Sequence, residues 1–174
     1  MILVIDVCAE RLHFYEFVKP VLDIVKDEEV LCTYYLDLNL DDLARCDKVI
    51  ICGTSLKDDG FVEDIDKFSW LKDFEKPVLG ICAGFQILGL VFGGKLGKKK
   101  EVGFFKEEFV SDFLGLEGEV EVYHLHNNYV DFPKEWRIFA GEYFAQAVNW
   151  KNFYGVLFHP EVRNRDLILR FALL

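Results

Sequence analysis

The sequence predicts an α/β fold, with a central, mostly parallel sheet flanked by helices on both faces and additional antiparallel strands in the second half. Three observations predict it. Short apolar runs with no wet face alternate with helical patterns through the first half, the signature of parallel strands covered on both sides. One of these runs, Val78-Leu79-Gly80-Ile81, passes straight into a helical pattern at a cysteine bracketed by glycines. Beyond residue 94 the pattern becomes strand after strand with short turns. The 174 residues read as a single domain, 1–174, long enough for one sizeable core.

Each element follows in order. Met1-Ile2-Leu3-Val4-Ile5-Asp6 lacks a basic lead and is too short to cross a bilayer, so it reads as a buried first strand rather than a signal peptide. Residues 12–25 form a helix that Pro20 disturbs or divides. Residues 30–36 and 48–52 are strands, with a short helix over 41–45 between them. Residues 61–74 read as a helix with Phe61, Ile65, Phe68 and Leu71 on one side. A strand at 78–81 and a helix at 83–92 follow, the helix stopped by Gly93-Gly94. Strands are expected at 102–110, 119–126, 137–141, 144–149 and 154–158, and a closing helix at 163–174.

The net charge of −10 argues against a nucleic-acid or anionic-membrane surface, since phosphate contacts need clustered Lys and Arg. The only basic run, Lys98-Lys99-Lys100, reads as a solvated turn. Five cysteines, an odd number without C-x-x-C spacing, point to free thiols and a reducing cytoplasm.

Cys82 carries the chemistry. In Gly80-Ile81-Cys82-Ala83-Gly84 the glycines let a strand turn sharply into a helix, as in the G-x-S-x-G nucleophile elbow with sulfur for oxygen. The helix N-terminus leaves orphan N–H groups that favour negative charge at the sulfur. A structural cysteine would not explain paired glycines, which cost stability unless a tight turn or close approach requires them. His159 alone would read as a strand-end histidine. Pro160 and Glu161 change that reading, because a carboxylate after a fixed turn can reach back to one ring nitrogen. Cys82, His159 and Glu161 are therefore a candidate triad.

Two stretches together resemble a family. Gly80-Ile81-Cys82-Ala83-Gly84-Phe85-Gln86 is similar to the G-x-C-x-G-x-Q elbow of class I (triad) glutamine amidotransferases. Tyr154-Gly155-Val156-Leu157-Phe158-His159-Pro160-Glu161-Val162 resembles their Y-G-V-Q-F-H-P-E-V block. His126-Asn127-Asn128-Tyr129-Val130 resembles the S-H-x-D-x-V region of GMP synthetase amidotransferase subunits, with Leu125 in place of Ser. The resemblance implies a flavodoxin-like fold and hydrolysis of glutamine to glutamate and ammonia through a glutamyl thioester. Cys82 would attack, His159 would take and return the proton, and Glu161 would orient His159. Backbone N–H groups around Gly53, Thr54 and Ala83 would hold the oxyanion. Gln86, Asn127 and Asn128 would contact the substrate. No cofactor is implied, and a separate synthetase subunit would receive the ammonia.

The chain departs from the family pattern in three places. Gly53-Thr54-Ser55 stands where G-G-P or G-G-G is usual, and Thr adopts φ > 0 only at a cost. The oxyanion loop is thus expected to be preset differently, opened by a partner, or disabled. Leu157 replaces Gln before Phe158-His159, and Leu125 replaces the serine. A γ-glutamyl amide or peptide hydrolase and a catalytically impaired regulatory subunit stay open as alternatives. Gly89-Leu90-Val91-Phe92-Gly93-Gly94-Lys95-Leu96 only nearly spells a phosphate loop, because Leu96 cannot bind Mg²⁺ and the stretch ends a helix. His124 and His126 share a strand face, but with no third ligand of clear spacing no metal is expected. His13 reads as a helix-surface residue.

Overall fold

The computed structural model describes residues 1–174. Five strands run parallel: β1 (Ile2–Asp6), β2 (Val30–Tyr34), β3 (Lys48–Ile51), β4 (Val78–Ile81) and β9 (Phe153–Val156). The antiparallel strands β5 (Lys95–Phe113), β6 (Leu116–Asp131), β7 (Arg137–Ala140) and β8 (Ala147–Trp150) extend the same sheet. The strand order is β2-β1-β3-β4-β9-β8-β7-β5-β6. Its parallel part has the 2-1-3-4-5 order of flavodoxin-like sheets, in which ligands sit beyond the carboxyl ends of the strands.

Alternate residues of each parallel strand feed two cores. Ile2, Val4, Ile50, Leu79 and Ile81 pack with α2 (Lys19–Ile24) and α5 (Arg165–Ala172) through Val21, Leu167, Ile168 and Phe171. Leu3, Ile5, Val49, Ile51 and Val78 face α3 (Leu40–Arg45) and α4 (Ala83–Val91) through Leu43, Ile87 and Leu88. Both faces are covered, as apolar strands without a polar side require. No helix is long and apolar enough to cross a membrane.

The helical segment near residue 20 is disturbed, as expected, though its helical backbone runs unbroken over 11–24. A short turn, α1 (Arg11–His13), leads into a π turn at Phe14–Val18 and then α2. Pro20 lies in the first turn of α2, directly after the π turn, where the regular i to i−4 hydrogen-bond pattern is already interrupted. The glycine stop after α4 is a full Schellman motif. Gly93 takes φ +90°, its N–H donates to the Leu90 carbonyl (3.2 Å), and Gly94 N–H donates to the Gly89 carbonyl (2.8 Å).

Three expectations need correction. Residues 61–74 are not α-helical but form 3₁₀ segments, Gly60–Val62 and Ile65–Asp73. Ile65, Phe68 and Leu71 recur every three residues, the 3₁₀ period, and Phe68 and Leu71 are the buried ones. Lys98-Lys99-Lys100 is not a turn; it lies exposed within β5 beside a register shift between Lys98 and Glu101. The strand expected at 144–149 is confined to β8, and those at 102–110 and 119–126 are far longer, forming one two-stranded arm.

Candidate active site

Three parallel strands deliver the predicted residues to one end of the sheet. Gly53 and Thr54 follow β3, Cys82 follows β4, and His159 comes three residues after β9. Cys82 is the N-cap of α4, with φ 47° and ψ −95°. A non-glycine residue at positive φ is strained by about 1–3 kcal/mol and persists where the surroundings fix it. Those surroundings are visible. Cys82 N–H donates to the Val156 carbonyl at 2.8 Å, and the Cys82 carbonyl accepts from Gln86 N–H at 3.0 Å.

The bracketing glycines are sterically required. A Cβ on Gly80 would lie 2.6 Å from the Gly84 carbonyl carbon and oxygen, and one on Gly84 would collide with the Ile51 carbonyl oxygen. Gly53 is constrained in the same way: its Cβ would sit 2.7 Å from His159 Cε1 and 3.3 Å from Cys82 Cβ. Main chain, imidazole and thiol share a space that admits no further carbon.

His159 and Glu161 are both buried. Their pairing follows from a turn around Pro160, closed by Val162 N–H donating to the His159 carbonyl (3.1 Å). Glu161 Oε1 stands 2.7 Å from His159 Nδ1. The other ring nitrogen, Nε2, lies 3.4 Å from the Leu125 carbonyl oxygen. Both nitrogens therefore face acceptors, and only the imidazolium can donate to both. Burial alone would push the His159 pKa down. The carboxylate of Glu161 and the Cys82 sulfur outweigh it and hold the pKa well above the ordinary imidazole range.

The same Leu125 carbonyl accepts from Cys82 Sγ at 3.6 Å. One backbone oxygen of β6 thus touches both sulfur and imidazole. The β6 segment is fixed there by His159 N–H, which donates to the Tyr123 carbonyl at 2.8 Å.

A narrow pocket opens beside Cys82, lined by Thr54, Ala83, Gln86, Leu125, His126 and Asn128 among others. Its free interior is about 20 Å³, room for about one water molecule. Gln86 Oε1 and Asn128 Oδ1 are buried acceptors with no partner in the protein. Asn127 is tied to the opposite loop, its Nδ2 donating to the Leu56 carbonyl at 2.8 Å. Thr54 keeps φ out of the positive region, so the cost expected for a flipped threonine is absent. Its hydroxyl donates to Asp58 Oδ2 at 2.8 Å. The same oxygen accepts from Ala9 N–H (2.8 Å) and faces His13 Nδ1 (3.2 Å). His13 is therefore part of the brace on the Thr54 loop rather than a plain surface residue. Sequence reasoning misses Asp58, which carries no motif and acts only through the fold.

His124 and His126 do share a face, and both are buried. Burial, with His124 adding to it, pushes the His126 pKa down to about 4, so this ring is neutral near pH 7. The fold also brings Glu101 to them, a third group that spacing in the sequence does not reveal.

Residues 25–167 match the model of the class I glutamine amidotransferase family, and the chain belongs to that family. The A subunit of the glutamine-hydrolysing GMP synthase of Pyrococcus furiosus is 31% identical over 134 residues, covering 69% of this chain and 70% of the relative. Its counterpart in Sulfolobus acidocaldarius is also 31% identical, over 144 residues and 75% of each chain. Against the Methanobrevibacter smithii counterpart the match spans about half the relative's length, 55%. A crystal structure of a candidate GMP synthase A subunit from Thermoplasma acidophilum superposes with a TM-score of 0.84 at 22% identity, over 98% of this chain and 90% of that one. A glutamine amidotransferase from Thermotoga maritima gives 0.70 at 23%, over 99% and 80%. At these identities the two structures establish the shared fold.

Proposed function

We propose that this chain is one glutaminase domain that hydrolyses glutamine through Cys82, His159 and Glu161 and passes the ammonia to a separate GMP synthetase subunit. The observation that carries it is the convergence at the ends of β3, β4 and β9: a thiol on a strained elbow, facing an imidazole whose far side is held by a buried carboxylate. The Cys82 sulfur attacks the side-chain amide carbon of glutamine, and its proton passes to His159. His159 then protonates the departing ammonia, leaving a glutamyl thioester. Water activated by His159 cleaves the thioester, releasing glutamate and restoring the thiol. The N–H of Ala83, in the first turn of α4, and the main chain at Gly53 and Thr54 receive the oxyanion. The unpartnered acceptors of Gln86 and Asn128 suit the amide and ammonium N–H groups of glutamine, with Asn127 holding the pocket wall. The free thiols of all five cysteines suit a reducing cytoplasm.

The resting geometry is closed. The Leu125 carbonyl caps the sulfur and gives imidazolium Nε2 an acceptor, so the ring is loaded with the proton that it must accept in turnover. We infer that docking of the synthetase moves this part of β6, which frees both groups and opens the pocket. The test is ammonia release from glutamine by the purified chain, alone and with the synthetase. Activity should rise at least tenfold with the partner and vanish in Cys82→Ala. A regulatory subunit is the second reading, favoured by the closed pocket alone. A glutamine-like chloroketone distinguishes them: an adduct on Cys82 in the complex supports the glutaminase, and its absence supports the regulatory reading.

A further inference from the structure

Glu101 stands directly opposite His126 in the β5–β6 ladder. A bulge puts it there. From the Lys98–Asn128 pair to the Glu101–His126 pair, β5 advances three residues while β6 advances two. The extra residue turns Glu101 onto the face shared by His124 and His126; without it Lys100 would hold that position. Bulges that re-aim a side chain in this way are common beside functional sites.

We propose that Glu101, His124 and His126 bind one divalent cation of the zinc class. Glu101 Oε2 lies 3.1 Å from His126 Nε2 and 3.9 Å from His124 Nδ1, and the two nitrogens are 3.2 Å apart. Ligands about 2.0–2.1 Å from a tetrahedral Zn²⁺ stand about 3.3 Å from one another. The observed triangle needs only a small closure of its longest edge. The outer contacts of His124 and Glu101 are also those of a metal site, while His126 Nδ1 is buried without a partner. His124 Nε2 reaches Glu107 Oε1 at 3.2 Å, the carboxylate partner that sets a ligating histidine's tautomer and leaves Nδ1 as a bare lone pair. Gln146 Nε2 donates to Glu101 Oε2 at 3.1 Å and orients that carboxylate, while Gln146 Oε1 is buried without a partner.

The three inward atoms converge as acceptors. With His124 Nε2–H committed to Glu107, the centre holds a lone pair on His124, a carboxylate oxygen and the Nε2 of His126. One proton on His126 can serve only one of its two neighbours, and Glu101 Oε2 has the Gln146 amide as its other donor. A cation satisfies all three donor atoms together. Two imidazole nitrogens with one carboxylate select zinc or a similar first-row ion over Mg²⁺ or Ca²⁺, which prefer all-oxygen shells. The ion would pin β6 on both sides of Leu125, whose carbonyl covers Cys82. The site stands independently of the glutaminase reading.

The test uses the full chain carrying Cys82→Ala, which removes the catalytic thiol as a competing ligand. The chelator-stripped protein is titrated with ZnCl₂ by calorimetry. One equivalent should bind with a Kd below about 1 μM. In the same background Glu101→Gln and His126→Ala should each weaken binding at least 100-fold, and Glu107→Gln about 10–100-fold. Circular dichroism and thermal melts of the metal-free variants establish that they fold. Should a variant not fold, Co²⁺ replaces it as a probe of the parent. Visible absorption of a four-coordinate site without sulfur-to-cobalt charge transfer supports the proposal, whereas a charge-transfer band places the ion on a cysteine and overturns it. Absence of Zn²⁺ binding, or binding unchanged in folded Glu101→Gln and His126→Ala, also overturns it.

Discussion

In β4 all four residues are buried, and no position tolerates a change of size without a neighbour moving. In β5, nineteen residues long, only Phe109 and Phe113 are buried, and Phe104 and Val110 stand well exposed. The parallel half is held by packing from both sides, whereas β5 is held largely by its ladder with β6, whose alternate residues Val122 to Val130 face the core. The candidate site lies where the two meet. The elbow, Gly53 and His159 belong to the rigid half, while Leu125, His126 and Asn128 are brought by the arm. The proposed glutaminase thus joins a packed frame to a cover supplied by another part of the chain, the division that gating by a partner would use.

Substitutions can break or sharpen this contrast. The largest effect is expected from Cys82→Ala, which should lower glutamine hydrolysis in the complex at least about 10⁴-fold with the fold retained, measured by coupled glutamate detection. Glu161→Gln should follow, with kcat reduced about 10²–10⁴-fold through loss of the correct tautomer. The same variant tests the pH linkage. Because the folded pKa of His159 is raised above the unfolded value of about 6.5, its contribution to stability is complete below about pH 6.5. It is lost as pH rises through the folded value. The stability gap between wild type and Glu161→Gln should therefore be widest near pH 6 and narrow as pH rises through the folded pKa of His159 in urea titrations. A constant gap would remove the ion pair from the account.

Gly84→Ala should destabilise the chain by about 3 kcal/mol or more, since the new methyl meets the Ile51 carbonyl rather than a flexible side chain. Chemical denaturation measures it, and a change below about 1 kcal/mol would show that the elbow has slack. At the other end, Phe104→Thr on the arm should shift stability by no more than about 0.5 kcal/mol. A larger loss would mean that the arm is packed more tightly than its exposure implies.

The same contrast explains what can be read from the residues. Val49-Ile50-Ile51 and Val78-Leu79-Gly80-Ile81 announce buried parallel strands because burial on both faces leaves no room for polar residues. The elbow and the His159 turn are legible because each depends on neighbours within five positions. The arm is legible only in part. A strand exposed over most of its length has no alternation to display, and Lys98–Lys100 look like a loop when their partners are about thirty residues away. The 3₁₀ segment at Ile65–Asp73 passes for an α-helix because spacings of three and four residues overlap in a short window. Glu101, Asp58 and the Leu125 carbonyl are invisible for a simpler reason: their roles are set by register and main-chain path rather than by a local pattern.

The atom resting on the Cys82 sulfur belongs to the peptide backbone, which every amino acid brings with it. No point mutation at position 125 can erase an oxygen common to all twenty residue types. Release of this contact must come from shifting the ribbon that carries it.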